Sequence, residues 1–215
     1  MKTSKVLIVD LSGIQSRDEV TGMRFEKVGA ILIPDDVPNL VLDCDRVGAV
    51  VPVARGTRVE QRSGSVEVSG ETLAIGDGGT ILAFAGVVLI TPPVTSVGYR
   101  GLILVGVTFV PKSAAKAMAG KIISQTGITV HYEGLFPRLF LDDVRVTKTF
   151  LDLVSEPLAL LMVGDVTFAK DVSPDLLLHK VTSIGLVGDA SVEDPDLLPM
   201  VQFLAQGPGT VRVAS

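Results

Sequence analysis

The chain has 215 residues, 47% of them hydrophobic and only 5% aromatic, with no Trp and a formal net charge of −5. That length suits one large domain, two small ones or an elongated array, and the bias toward Val, Leu, Ile and Ala points to thin, regular aliphatic layers. The negative balance argues against a protein made for nucleic acid or an anionic membrane surface, since both need a positive field, and the single cysteine, Cys44, excludes an internal disulfide framework.

Read from the N-terminus, MKTSKVLIVDLSGIQ offers an apolar run of only four residues before Asp10, short for a secretory signal. Its KVLIVDL, at 5–11, is the first strand candidate. A phrase then recurs: a small or β-branched residue, a glycine, and alternating β-formers. It reads VGAILIP at 28–34, VGAVVPV at 47–53, AGVVLIT at 85–91, VGVTFVP at 105–111, TGITVHY at 126–132, VGDVTFA at 163–169 and VGDASVE at 187–193. The anchoring residues Gly29, Gly48, Gly86, Gly106, Gly127, Gly164 and Gly188 are separated by 19, 38, 20, 21, 37 and 24 positions. The two long gaps are about double the short ones, so each predicts a degenerate copy: SVEVSG at 65–70 and DVRVTKTF at 143–150. TVRVAS at 210–215 closes the series. A period of roughly 20 residues is the range of short solenoid repeats.

Each repeat is expected to hold a strand of about five residues, a polar turn and a second apolar segment. In some copies that segment reads as a helix. Ser173-Pro174-Asp175 is an N-cap, a first-turn Pro and a first-turn acid ahead of Leu176, Leu177, Leu178 and Val181. Asp194-Pro195-Asp196 opens its successor in the same way, and Ser113 begins AAKAMAGKII, a run of good helix formers. Helices are therefore expected at 113–123, 173–181 and 196–206, whereas 57–80 reads as all-strand. The fold class is mainly β: one parallel β-solenoid over 1–215, with short helices opposite the strands, an all-strand half at 1–110 and a helix-bearing half at 111–215. The rival is an antiparallel β-sandwich, against which the helix signals count.

The phrases VTSIGLVGD and IPDDVPNLVLDC resemble irregular leucine-rich repeats, although only Cys44 could fill the ladder position after the strand and Asn39 is the sole Asn. TRVEQRSGSVEVSGETLAIGDGGTILAFAGVVLI, at 57–90, is similar to bactofilin-type β-helices, in which Val and Gly alternate over short coils. Bactofilins polymerise, so that resemblance implies a scaffold role. Neither family brings catalytic residues to this chain.

The residues that carry chemistry are sparse. His131 lies in a strand-like stretch and His179 in a short helix; no HxH, HExxH or CxxC spacing occurs, so no metal site, catalytic set or cofactor is expected. Arg55, Arg58 and Arg62 cluster, as do Lys112, Lys116 and Lys121, but without interleaved aromatics they read as solvated charge. IGDGGT at 75–80 and AGKIIS at 119–124 lack the spacing of phosphate-binding loops and read as turns. Acids stand beside strands at Asp35-Asp36, Asp43 with Asp45, and Asp142-Asp143. In a stacked array, residues at equal phase line up, so Asp35, Asp36, Asp142, Asp143 and Asp171 are candidates for an acidic ridge, with Glu193 and Asp194 at a similar phase. Asp165 and Asp189, the acids of the doubled VGD phrase, read as matching turn or strand-edge positions.

The expected function is a non-enzymatic scaffold or protein-interaction module that self-associates or binds a protein partner through open ends. The alternative is an enzyme or carbohydrate-binding β-helix protein with an acidic groove on its strand face. The longest apolar stretch, ILAFAGVVLI at 81–90, is too short to cross a bilayer, so no membrane insertion is expected and the location is read as cytoplasmic.

Overall fold

The computed structural model describes residues 8–37 and 43–214. Positions 5–7 of the first strand candidate, 38–42 within IPDDVPNLVLDC, and Ser215 of the last strand candidate lie outside the described residues. The protein is mainly β, with parallel sheets and short helices. It forms two compact units. One runs to Leu89 and adds Val94–Thr108 and Lys116–Ile128; the other comprises Ile90–Pro93, Phe109–Ala115 and the chain from Thr129 onward.

The first unit contains β1 (Ile8–Asp10), β2 (Arg24–Phe25), β3 (Val28–Pro34), β4 (Asp43–Cys44), β5 (Val47–Val53), β6 (Val59–Ser69), α1 (Gly70–Ala74) and most of β7 (Ile81–Thr91), β8 (Gly101–Pro111), α2 (Ala115–Met118) and β9 (Ile122–Tyr132). One sheet has the order β1-β3-β5 and is parallel, with Ile8 opposite Ala30 and Ala30 opposite Ala49. A short parallel pair, β2-β4, sets Arg24 opposite Asp43. Ala30 and Leu32 of β3 and Val51 and Val53 of β5 pack with Ile81, Ala83 and Ala85 of β7 and Ile103 and Val105 of β8. Ile31, on the other face of β3, packs with Val9 and Val28 beside Phe25 and Cys44. Burial on both faces is why VGAILIP is an almost unbroken apolar run.

The order of the largest sheet is β6-β7-β8-β9. Its strands are 11 residues long, and the repeated glycine stands in the middle of each rather than at the start of a five-residue strand. The physical reason is a backbone stack. Gly86, Gly106 and Gly127 have φ of +128°, +111° and +121°, and a Cβ on each would sit 2.2, 2.2 and 2.1 Å from the carbonyl oxygen of Gly64, Gly86 and Gly106 respectively. Only glycine tolerates both the angle and the approach, so the strand bends there and continues.

Two further expectations for this unit need correction. The stretch 57–80 is not all strand: α1 interrupts it, started by Ser69, whose Oγ accepts from the Thr72 N–H at 3.1 Å. The helix expected at 113–123 is a 3-10 turn at Lys112–Ala114 followed by the four-residue α2. Gly120, at φ +73°, ends it, and the following residues enter β9.

The second unit contains β10 (Pro137–Phe140), β11 (Val144–Val146), α3 (Lys148–Asp152), β12 (Leu158–Val163), β13 (Val166–Phe168), α4 (Pro174–Lys180), β14 (Val181–Val187), β15 (Asp189–Val192), α5 (Leu198–Leu204), β16 (Ala205–Gln206) and β17 (Thr210–Val213). They make two four-stranded sheets, β10-β12-β14-β16 and β11-β13-β15-β17. Both are parallel, and the partners lie at matching steps along the chain: Val144, Val166, Ala190 and Val211 are successive neighbours, spaced 22, 24 and 21 residues apart. Parallel pairing in the smaller sheet of the first unit and in both sheets of the second excludes the antiparallel sandwich for them.

The connections from β11 to β12 and from β13 to β14 pass through helices capped by a side chain. The Ser173 Oγ accepts from the Leu176 N–H at 3.2 Å, and Pro174 occupies the first turn of α4, as its sequence predicts. DVRVTKTF divides: its first part is β11, and Thr147 then caps α3, so the tail is helical rather than strand. Leu151, Leu177 and Val201 from α3, α4 and α5 join Leu160, Phe168, Ile184 and Val192 in a core from which water is excluded. Burying each such side chain stabilises the unit by about 1.5–3 kcal/mol before chain entropy is set against it. No helix among the described residues is long and apolar enough to cross a membrane.

Candidate functional site

The period-2 alternation of β11, β13, β15 and β17 sorts their side chains onto two faces. Val144, Val146, Val166, Phe168, Ala190 and Val192 point to the core. The other face is polar. Arg145, Thr167, Ser191 and Arg212 are register partners along it, and Asp143, Asp165, Asp189 and Thr210 form the row two residues earlier.

That second row is a hydrogen-bonded ladder. The Asp165 N–H donates to Asp143 Oδ1 at 3.0 Å and the Asp189 N–H to Asp165 Oδ1 at 3.1 Å. The Thr210 hydroxyl donates to Asp189 Oδ1 at 2.6 Å. The Thr210 hydroxyl holds the Asp189 carboxyl below its ordinary range, helped by the Thr210 N–H and the charge of Arg212. Across the same face Arg145 makes a bidentate ion pair with Glu193, which also accepts from the Lys170 N–H at 3.1 Å. Arg145, the main cause, keeps Glu193 ionised below its usual pKa. Asp143, Arg145, Asp165 and Thr167 line a shallow cleft of about 270 Å³ on this face.

The acids singled out from the sequence have different local partners. Asp143 belongs to the ladder, and Asp142 is exposed beside it. Asp171 accepts from the Lys148 N–H at 3.2 Å, at the start of α3. Asp35 and Asp36 belong to the first unit. There Asp36 takes a two-pronged contact from Arg55 at 2.9 Å, which holds its carboxyl below the ordinary range. Asp45 pairs with Arg24 at 3.0 Å. Burial, followed by the charges of Asp43 and Asp45, pushes the Cys44 thiol up, away from a reactive thiolate. His131 is exposed, and the His179 ring meets the Asp175 carbonyl four residues back at 2.7 Å. Within IGDGGT, Asp77 Oδ1 accepts from the Gly79 and Thr80 N–H groups, which makes it an Asp-closed turn. Among the described residues no group of three His, Cys, Asp or Glu side chains converges as a metal ligand set.

A second feature escaped the sequence reading. Between β10 and α3 lies a cleft of about 560 Å³ whose lining includes Phe136, Arg138, Phe140, Phe150, Leu153 and Glu156. The Phe140 and Phe150 rings meet edge to face, with centroids 6.0 Å apart. Among the described residues β10 is an edge strand, paired with β12 alone. Around it Leu135, Phe136, Leu141 and Leu153 are 70, 52, 42 and 82% exposed. LFPRLFL, at 135–141, was a visible signal, an apolar run of three Leu and two Phe in a chain poor in rings.

No protein-family model, curated protein or solved structure matches the chain. Function must therefore be read from the chemistry of these two surfaces.

Proposed function

We propose that this protein is a non-enzymatic scaffold that self-associates, built as a parallel β-solenoid with a repeat near 20 residues. The carrying observation is the state of the sheet edges in the second unit. Among the described residues, β10 and β11 at one side and β16 and β17 at the other are each paired on one side only. Unpaired edge groups next to exposed apolar side chains are a template for another chain. The even register steps of 22, 24 and 21 residues support the solenoid reading, because stacked repeats put equivalent residues side by side. The polar face supports a structural role: its ladder acids and the Arg145–Glu193 pair already have partners inside the fold. Sedimentation velocity over a hundredfold concentration range tests the reading. A rising weight-average coefficient is expected, and a monomer throughout would overturn self-association.

A second reading takes the polar face as a carbohydrate platform. The row Asp143, Asp165, Asp189 favours it, because acids repeating along a sheet can meet successive sugar hydroxyls. Titration with neutral oligosaccharides, with an Asp165→Asn control, decides it: heat of binding lost in the variant supports the platform, and no heat removes it.

A further inference from the structure

The cleft between β10 and α3 has a composition that bears on what fills it. Its ten lining residues include one cation, Arg138, and one anion, Glu156, with the remainder apolar except for Ser155. Neither Arg138 nor Glu156 has an ion pair or a side-chain hydrogen bond among the described residues. By contrast, Arg145, Glu193, Asp143 and Asp165 on the polar face all have hydrogen-bond partners. An unpaired charge of each sign at the rim of one apolar groove is a self-complementary pattern. Under a two-fold axis, residue i of one copy meets residue j of the other, and j meets i. The long-range balance agrees: two copies of net charge −5 repel overall, whereas this patch is locally neutral and apolar. A foreign partner would have to supply the complement of both charges; a second copy carries it.

We infer that this groove is a homodimer interface, in which the β10–α3 clefts of two copies close on each other and Arg138 of each pairs with Glu156 of the other. The inference rests on the self-association reading above and names its surface. Phe136, Leu153 and the Phe140–Phe150 pair form the desolvated centre, the place where aromatic anchors contribute most to binding. The open edge of β10 adds main-chain groups that can pair antiparallel across the axis.

Charge exchange tests it on the full chain by sedimentation velocity. Arg138→Glu leaves two acids in each groove and Glu156→Arg two cations, so each variant alone is expected to self-associate about tenfold more weakly than the parent, or worse. An equimolar mixture of the two restores association, because each groove then meets its opposite, and the double variant R138E/E156R recovers as a homodimer. Far-ultraviolet circular dichroism establishes that the variants are folded. If the parent associates and neither reversal weakens it, or the mixture stays as weak as its components, the groove is not the interface, although self-association stands. If the parent is monomeric throughout, both readings fall.

Discussion

The backbone N–H of Asp189 donates to the carboxylate of Asp165 at 3.1 Å, across two neighbouring parallel strands. The Asp165 N–H makes the same bond to Asp143, one strand further on. The doubled VGD phrase is thus a side chain bonding to the backbone of its own next copy. Asp165→Ala removes the acceptor and leaves the Asp189 N–H to water; a loss of about 1 kcal/mol is expected, read as a lower urea midpoint at unchanged slope. Asp165→Asn keeps an oxygen in place and should lose less than half as much. Equal losses would show that charge, rather than the bond, is the stabilising element.

The acid end of the ladder predicts a titration. Asp189 is held below the ordinary carboxylate range, first by the Thr210 hydroxyl. A group whose folded pKa is depressed contributes stability that is complete above its unfolded pKa, near 3.9, and is lost as pH falls through the folded value. Between pH 5 and 7 this group therefore leaves stability flat, and its contribution disappears below about pH 4. In Thr210→Val the Asp189 carboxyl, followed by carbon-detected NMR, should titrate closer to the ordinary value, and less stability should be lost on acidification. An unchanged midpoint would assign the depression to the Thr210 N–H and Arg212 instead.

The glycine stack predicts a contrast between two substitutions that look alike in sequence. Gly106→Ala puts a Cβ 2.2 Å from the Gly86 oxygen at φ +111°, so a loss of about 3 kcal/mol or more is expected. Gly64→Ala, on edge strand β6, meets nothing within 4 Å and bears only the strain of φ +94°, about 1–2 kcal/mol. Thermal melts of the pair measure the difference; similar losses would mean that the stack relaxes without cost.

Tyr132 is fully buried, and its hydroxyl donates to the Ile90 carbonyl at 2.7 Å. Tyr132→Phe preserves the packing and deprives a buried carbonyl of that donor, which should cost about 1–3 kcal/mol. Tyr132→Leu adds a cavity and should cost more. If Phe proved neutral, another donor to the Ile90 carbonyl would have to satisfy it instead.

How much was legible depends on the range of the interaction concerned. Ser173-Pro174-Asp175 announced α4 because capping is settled within four residues. AAKAMAGKII misled because a good helix former still yields to Gly120 and to a strand needed by the sheet. The repeating glycines gave the right spacing; Gly29 and Gly48 stand near the start of their strands, whereas Gly86, Gly106 and Gly127 lie in the middle of theirs. A motif records that glycine is required, whereas the stacked carbonyl that requires it belongs to a neighbour about 20 residues away. The acids divide in the same way. Asp165 and Asp189 matched in phase and are ladder neighbours. Asp36 and Asp171, chosen on the same grounds, serve Arg55 and the start of α3.

The sequence by itself determined the β-rich character, the parallel sense of the returns and the alternation that turns Val and Phe inward, since these follow from periodicity, glycine and caps along a local stretch. Tertiary structure decided which distant charges meet, whereas Lys148 and Asp152 pair one helical turn apart. Arg145 found Glu193, 48 residues on, whereas Arg138 and Glu156 have no ion pair among the described residues and lie beside an apolar cleft. Long-range charge pairing depends on where distant strands come to rest, and no local pattern carries that information.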